Sequence, residues 1–312
     1  MRSVKFEQPW QLPPVPLMAY PLYVPRILLY RLLPLRVVLR LAVLHSRFEM
    51  QTQPERRRRL EAVLKPLLPD GTSLHDLRRK VVLSRAMRRI GTHTYAPVFR
   101  RSKEWLLRTF QPEGLEGLDE VKRSGRGAVI LATHAGINGW VAPILNQLGY
   151  KTLLMQRPAI SPHRLLTLRW DKWDAHVIPH PGFGHAGVHL KRLHSLLRRG
   201  EWIQYGGDVS FKGKGVEGQY LGRPVRCGPA PWALGRLAGV PVIPTLMLAD
   251  ERLRPRLIIG PPINVREDLP PEDAGAGAFQ TYLDFISRKL APAPWNISLA
   301  DWERLLANAG HP

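Results

Sequence analysis

The sequence predicts an α/β fold: a mostly parallel central sheet flanked by helices, with an N-terminal helical membrane-associating segment. Three observations carry this. From Gly127 onward, short runs rich in Val, Ile and Leu alternate with longer amphipathic stretches, the pattern of strands joined through helices. Before Gly127, apolar residues recur at three- and four-residue intervals among arginines, which is a helical period. The segment from Arg26 to His45 is strongly apolar yet broken by Arg31, Arg36 and Arg40, so it never reaches the charge-free run of about 18 residues that a membrane span needs.

That first segment suits a bilayer interface, with leucines and tyrosines inserted and arginines reaching lipid phosphates. An ordinary helix packed on the core is the competing reading, because the arginines do not fall on one clean helical face. No secretory signal is expected, since Pro13, Pro14, Pro16, Pro21 and Pro25 interrupt the first apolar stretch and no small-residue cleavage pattern follows.

Next come two basic amphipathic helices, expected over Pro54 to Leu68 and Ser73 to Ile90. Ser73, with Asp76 three residues on, resembles an N-terminal cap. A further helical stretch, Val98 to Phe110, leads through Gly114–Gly117 to a short helix over Leu118 to Ser124. Beyond it, strands are expected near 128–133, 151–155, 176–179, 202–206, 241–248 and 255–260. The helices between them are expected near 139–148, 162–173, 186–199, 229–238 and 276–290, with Glu267 to Gly277 as a loop rich in proline and glycine. The organisation expected is an apolar, arginine-punctuated segment over 1–50, basic amphipathic helices over 51–125, and an α/β domain over 126–312.

The 312 residues suffice for a substantial core. The formal net charge of +21 implies an anionic partner: a lipid headgroup surface, nucleic acid or an acidic carrier protein. The single cysteine, Cys227, excludes a disulfide framework within the chain and is expected as a small buried apolar residue. Nucleic acid is the least supported partner, because the Arg56–Arg59 run comes without zinc-finger spacing or an aromatic RNA-binding signature.

The stretch most informative about chemistry is Gly127 to Trp140, GAVILATHAGINGW. Ala128 to Ala132 reads as a buried strand that stops at Thr133-His134 and a pair of glycines. In an open α/β sheet the carboxyl ends of strands face the ligand crevice, so the His134 imidazole can meet a substrate there and act as a general base. Gly136 and Gly139 allow close approach of backbone and substrate.

Phe211 to Gly222, FKGKGVEGQYLG, has the lysine and glycine content of an anion-binding loop, with a flexible solvated loop as the plainer reading. Lys212 and Lys214 are its binding candidates, and Arg223 is grouped with them as substrate-binding. The loop lacks the Gly-Lys-Ser/Thr of a Walker motif. No Gly-x-Ser-x-Gly turn supports a serine hydrolase. The histidines His176, His180, His185, His189 and His194 crowd one segment without His-Glu-x-x-His or a cysteine pair, so no metal site is expected. Trp140, Trp170, Trp173, Trp202 and Trp232 are expected mostly in the core, with an apolar groove as the alternative.

In order and spacing, the runs GAVILATHAG, LLMQRP and GEWIQYGGDVSFKGKGVEGQYLGRPVRCGPAPWALGRLAGVPVIP resemble the bacterial late lipid A acyltransferases. The phosphatidylinositol mannoside and lysophospholipid acyltransferases are related to these. The resemblance implies transfer of a fatty acyl group from an acyl carrier protein or coenzyme A thioester to a hydroxyl or amine of a membrane lipid or glycolipid. The thioester would be a co-substrate, with no cofactor, and the site would lie at the cytoplasmic face of the inner membrane, reached by peripheral or monotopic attachment. The family's His-x4-Asp/Glu motif places its histidine on His134 and its acid on Gly139, which cannot orient an imidazole. Its Asp-x-Asp-like element falls on Gly206-Gly207-Asp208, keeping the second acid, and its Arg-Pro falls on Arg157-Pro158.

Acyl transfer from a thioester needs a base for the acceptor's proton and a donor or cation for the oxyanion. His134 is the candidate for the first, and Arg157 or backbone amides around Gly136 for the second. Asn138 and Asp208 are the candidates to orient the imidazole. A catalytically silent lipid- or carrier-binding protein on the same scaffold is the alternative that Gly139 and Gly206 motivate.

Overall fold

A computed structural model describes residues 32–93, 101–156, 176–179, 186–206, 215–297 and 302. It has three layers: helices, a six-stranded sheet, and helices again. The sheet comprises β1 (Ala128–Gly136), β2 (Thr152–Gln156), β3 (His176–Pro179), β4 (Trp202–Gly206), β7 (Val242–Ala249) and β8 (Pro255–Ile259), ordered β3-β2-β4-β1-β7-β8. All neighbours run parallel except β8, which pairs antiparallel with β7. The α/β class read from the alternation is the class observed, and each strand lies close to its expected place.

β1 shows why. Val129 and Leu131 face one core cluster, Ala128 and Ile130 the other, and all four are buried. A strand covered on both faces has no polar side to alternate, so it reads as a continuous apolar run. One face is covered by α7 (Ala186–Arg198), α8 (Ala230–Ala238) and α9 (Pro271–Leu290). The other is covered by α1 (Leu35–Thr52), α3 (Leu74–His93), α4 (Lys103–Phe110), α5 (Leu115–Arg123) and α6 (Val141–Gln147). α2 (Pro54–Leu64) joins α1 and α3 through a small separate cluster around Leu60, Leu64, Leu77 and Val81.

Three expectations are corrected. The segment read as an anion-binding or flexible loop over 211–222 holds a strand: β5 (Val216–Tyr220) pairs antiparallel with β6 (Arg223–Cys227). Leu221 (φ 50°) and Gly222 (φ 74°) form the two-residue turn between them. Two positive φ values in succession suit a tight hairpin, but leucine is a rare choice there, so the usual sequence signal is missing. Secondly, α9 begins at Pro271, inside the stretch read as a loop. Proline stands in the first helical turn with Glu272 and Asp273 beside it, both suited to a helix start. Thirdly, α5 starts at Leu115, a few residues earlier than expected, from Gly114 in the left-handed region.

α1 combines the two readings of the N-terminal segment. Leu35, Val38, Leu39, Ala42, Ser46, Glu49 and Met50 are buried, chiefly against α3. On the opposite side Val37, Leu41, Leu44 (58% exposed) and Phe48 (65% exposed) form an apolar stripe open to solvent. At about 100° per residue, Arg36, Arg40 and Arg47 fall within an arc of about 40° along one flank of that stripe. The arginines of the described helix therefore do share a side. Arg26 and Arg31 lie outside the described residues. Among the described residues no helix is long and apolar enough to cross a membrane.

The helices α1, α2 and α3 are tied by Glu49, whose carboxylate is 9% exposed. Oε1 accepts from Arg56 and Arg85, each at 2.7 Å, and Oε2 accepts from Arg89 at 2.7 Å. Burial alone raises the carboxyl pKa, but hydrogen bonds and charge from Arg85, Arg89 and Arg56 outweigh it and hold the group below the ordinary glutamate range. A depressed folded-state pKa stabilises the fold above the unfolded value, and that contribution is lost as pH falls through the folded one. Glu49→Gln is expected to cost about 1–3 kcal/mol at neutral pH, the lower end reflecting the half-exposed Arg56. Thermal melts of wild type and variant should converge as the solution is acidified below the carboxylate range; a gap that stays constant with pH would contradict this role.

Candidate active site at the carboxyl edge of the sheet

Strands β1 and β4 are adjacent and parallel, and their onward connections leave on opposite faces. The chain from β1 passes through α6 on one face towards β2; the chain from β4 passes through the hairpin and α8 on the other face towards β7. Such a switch point opens a crevice at the carboxyl ends of the two strands. Register places the ends level, with Ala132 opposite Gly206. His134, half-buried, stands two residues beyond that pair.

The turn that carries His134 is fixed from both sides. Thr133 is fully buried and its Oγ1 accepts from the Ala135 amide at 3.0 Å. The pairing of β1 with β7 slips between Ala132 and Gly136, so the segment bulges beside the histidine. Gly136 then presses against β7: its φ is 61°, and a Cβ there would lie 1.9 Å from the Met247 carbonyl oxygen. The Ile137 amide donates to that same carbonyl at 2.8 Å. What approaches Gly136 closely is therefore the β7 backbone. Of the amides around Gly136 considered for the oxyanion, those of Ala135 and Ile137 are already engaged.

Asn138 opens the 3-10 turn Asn138–Trp140, which also contains Gly139. Among the described residues no hydrogen bond joins Asn138 to His134. Trp140 anchors the turn, fully buried with its ring edge-on to Phe110 at 6.0 Å. Trp202 and Trp232 are likewise core residues, as expected. Arg157, Asp208, Lys212, Lys214, Trp170, Trp173, His180 and His185 lie outside the described residues. Arg157 follows directly on β2 and Asp208 lies two residues past β4, both strands ending on the same edge as β1. Arg223 is exposed and begins β6 at the hairpin turn; the hairpin runs along α9, with the Gln219 amide donating to Gln280 Oε1 at 2.8 Å and the Leu221 amide to Ser287 Oγ at 3.3 Å. His194 is near Leu237, one ring nitrogen lying 3.1 Å from its carbonyl oxygen. Cys227 is buried, as expected.

The family model for bacterial lipid A biosynthesis acyltransferases matches residues 15–294. The chain belongs to the bacterial lipid A biosynthesis acyltransferase family. Membership implies acyltransferase activity with a lipid acceptor, in a family of membrane-associated lipid biosynthesis. Comparison with curated proteins finds no match.

For a member of this family, the edge contains polar groups that sequence reasoning passed over. Tyr205, the penultimate residue of β4, pairs with Leu131, and burial pushes its phenol pKa up, so it remains a neutral hydroxyl at physiological pH. Gln204 and Thr245 flank β1 on the face that Trp202, Ile130 and Met247 share; Gln204 Oε1 and Thr245 Oγ1 are buried and have no hydrogen-bond partner among the described residues. The available signal was a polar residue inside an otherwise apolar strand, as in WIQYG and VIPTLMLA.

The Gly136 contact generates a test. Gly136→Ala forces a methyl group into the Met247 carbonyl and a left-handed φ on alanine, and is expected to destabilise the protein by about 3 kcal/mol or more. Denaturant unfolding measures this; an unchanged midpoint would show that the turn is not held against β7.

Proposed function

We propose that the chain transfers a fatty acyl group from a thioester, carried by acyl carrier protein or coenzyme A, to a hydroxyl or amine of a membrane lipid or glycolipid, with His134 as general base. The observation that supports this best is the position of His134 at the switch-point edge between β1 and β4, where an acceptor and a thioester can both reach the imidazole. His134 takes the acceptor's proton as its oxygen or nitrogen attacks the thioester carbonyl. Arg157 steadies the oxyanion, and collapse releases the thiol of the carrier. No covalent enzyme intermediate is needed.

With Gly139 in the family's acid position, Asp208 is the preferred orienting group, since it follows β4 on the same edge; Asn138 is the other candidate. Lys212 and Lys214, with Arg223, offer positive charge to the acceptor's phosphate or to the carrier's phosphopantetheine. The protein sits on the cytoplasmic face of the inner membrane without spanning it. Support for an interfacial seat comes from the exposed stripe Val37, Leu41, Leu44 and Phe48 with its arginine flank.

A silent lipid- or carrier-binding protein is the second reading, and Gly139 is the observation that favours it. Both are tested with purified protein, acyl-carrier-protein or coenzyme A thioesters and a bacterial lipid extract. Wild type is expected to give an acylated lipid, and His134→Ala to reduce the rate by about a hundred- to ten-thousand-fold. Equal product from both would refute His134 as base. Vesicle binding without product, with turnover appearing in Gly139→Glu, would establish the silent reading instead.

A further inference from the structure

Among the described residues eight large apolar side chains are exposed, and five of them fall in one stretch: Leu32, Val37, Leu41, Leu44 and Phe48. Apolar residues scattered singly over a surface need no explanation, whereas a contiguous group does. Within α1 the group is narrow. At about 100° per residue, Val37, Leu41, Leu44 and Phe48 span an arc of about 60°, whose middle lies about 150° from the middle of the buried face. The stripe therefore occupies the outward side of the helical layer. Arg36, Arg40 and Arg47 run about 90° from its middle. All three are exposed, and among the described residues none of them has a hydrogen bond or ion pair. The single acid of α1, Glu49, is buried and shared by Arg56, Arg85 and Arg89.

Whatever covers such a face must supply an apolar phase and negative charge side by side. A second copy of the helix offers the apolar stripe but no counter-charge, since α1 exposes no acid. Nucleic acid offers phosphates but no apolar slab for Leu44 and Phe48. A leaflet containing acidic phospholipid supplies both: residues on the lower face of an interfacial helix enter the acyl boundary, and cations set at right angles to them lie level with the phosphates. We propose that the outward face of α1 docks on a leaflet rich in anionic phospholipid, with Arg36, Arg40 and Arg47 meeting lipid phosphates. Binding of an interfacial helix scales with buried apolar area plus attraction to anionic lipid; with four residues in the stripe the first is small, so the second decides. This rests on the interfacial seat proposed above and adds the lipid class that the seat selects. It does not depend on His134 or on turnover.

The test uses the full chain and reads binding alone, so a failed acyl-transfer assay leaves it interpretable. Sedimentation with vesicles of phosphatidylcholine is compared with sedimentation with vesicles that also contain phosphatidylglycerol. Wild type is expected to bind the mixed vesicles at least about tenfold more tightly, and to lose that preference in about 1 M salt, where the Debye length falls to about 3 Å. A charge near an anionic surface is worth about fivefold in affinity, so Arg36→Gln, Arg40→Gln and Arg47→Gln combined should remove most of the preference. Lys191→Gln, Arg198→Gln and Arg199→Gln combined remove as much charge from exposed positions on and just after α7, in the opposite helical layer, and should keep it. Phe48→Ser should weaken binding to both kinds of vesicle. Equal wild-type binding to the two would leave the seat standing and overturn the choice of anionic lipid, whereas no binding to either would overturn both. A preference that the α1 variant retains would place the lipid surface elsewhere and overturn the proposal.

Discussion

The bulged end of β1, held against β7, is the constraint on which the rest of the molecule depends. β1 lies at the centre of the sheet with apolar layers on both faces, so neither its register nor its depth can shift without exposing one core or the other. Its last residues cannot continue as regular strand, because Gly136 meets the Met247 carbonyl and Ile137 donates to it. Thr133 closes the turn from within. His134 is thus set at the open edge by contacts that are all buried. These contacts fix the backbone on both sides of His134, and glycine stands at 139 on the turn that follows.

The topology turns that placement into a site. The connections after β1 and β4 lie on opposite faces of the sheet, the topology at which a crevice is expected at the strand ends, and β2 and β4 end on the same edge as β1. On the far side of the helical layer, α1 buries one face against α3 and leaves the opposite face apolar and open. A family of membrane-associated acyltransferases needs both features: a polar edge for chemistry, and a surface able to rest at the lipid boundary.

Much of this was legible in the residues, and the reasons are physical. Doubly buried strands such as AVILA and VIPTLMLA announce themselves because both faces are covered and their residues are almost all apolar, Thr245 being the exception. The position of His134 near the end of β1 was legible because a titratable residue follows such a run. The hairpin was not: its turn is Leu221-Gly222 rather than Asn-Gly, and Glu217 and Gln219 give β5 a solvent-facing side that reads as loop. The start of α9 was hidden by Pro270, Pro271 and the glycines at 275 and 277, residues that read as a loop. Glu49 was invisible for another reason. Its partners Arg85 and Arg89 lie on a different helix, and no local pattern reports a contact between helices.

The most direct measurement is the structure of the protein bound to a thioether analogue of an acylated phosphopantetheine. The expected result is the sulfur and its acyl carbon at the β1–β4 edge, with room for an acceptor atom within about 3 Å of the His134 ring. An acyl group seated elsewhere, with the imidazole turned away from it into the protein, would contradict the assignment of the chemistry to this edge.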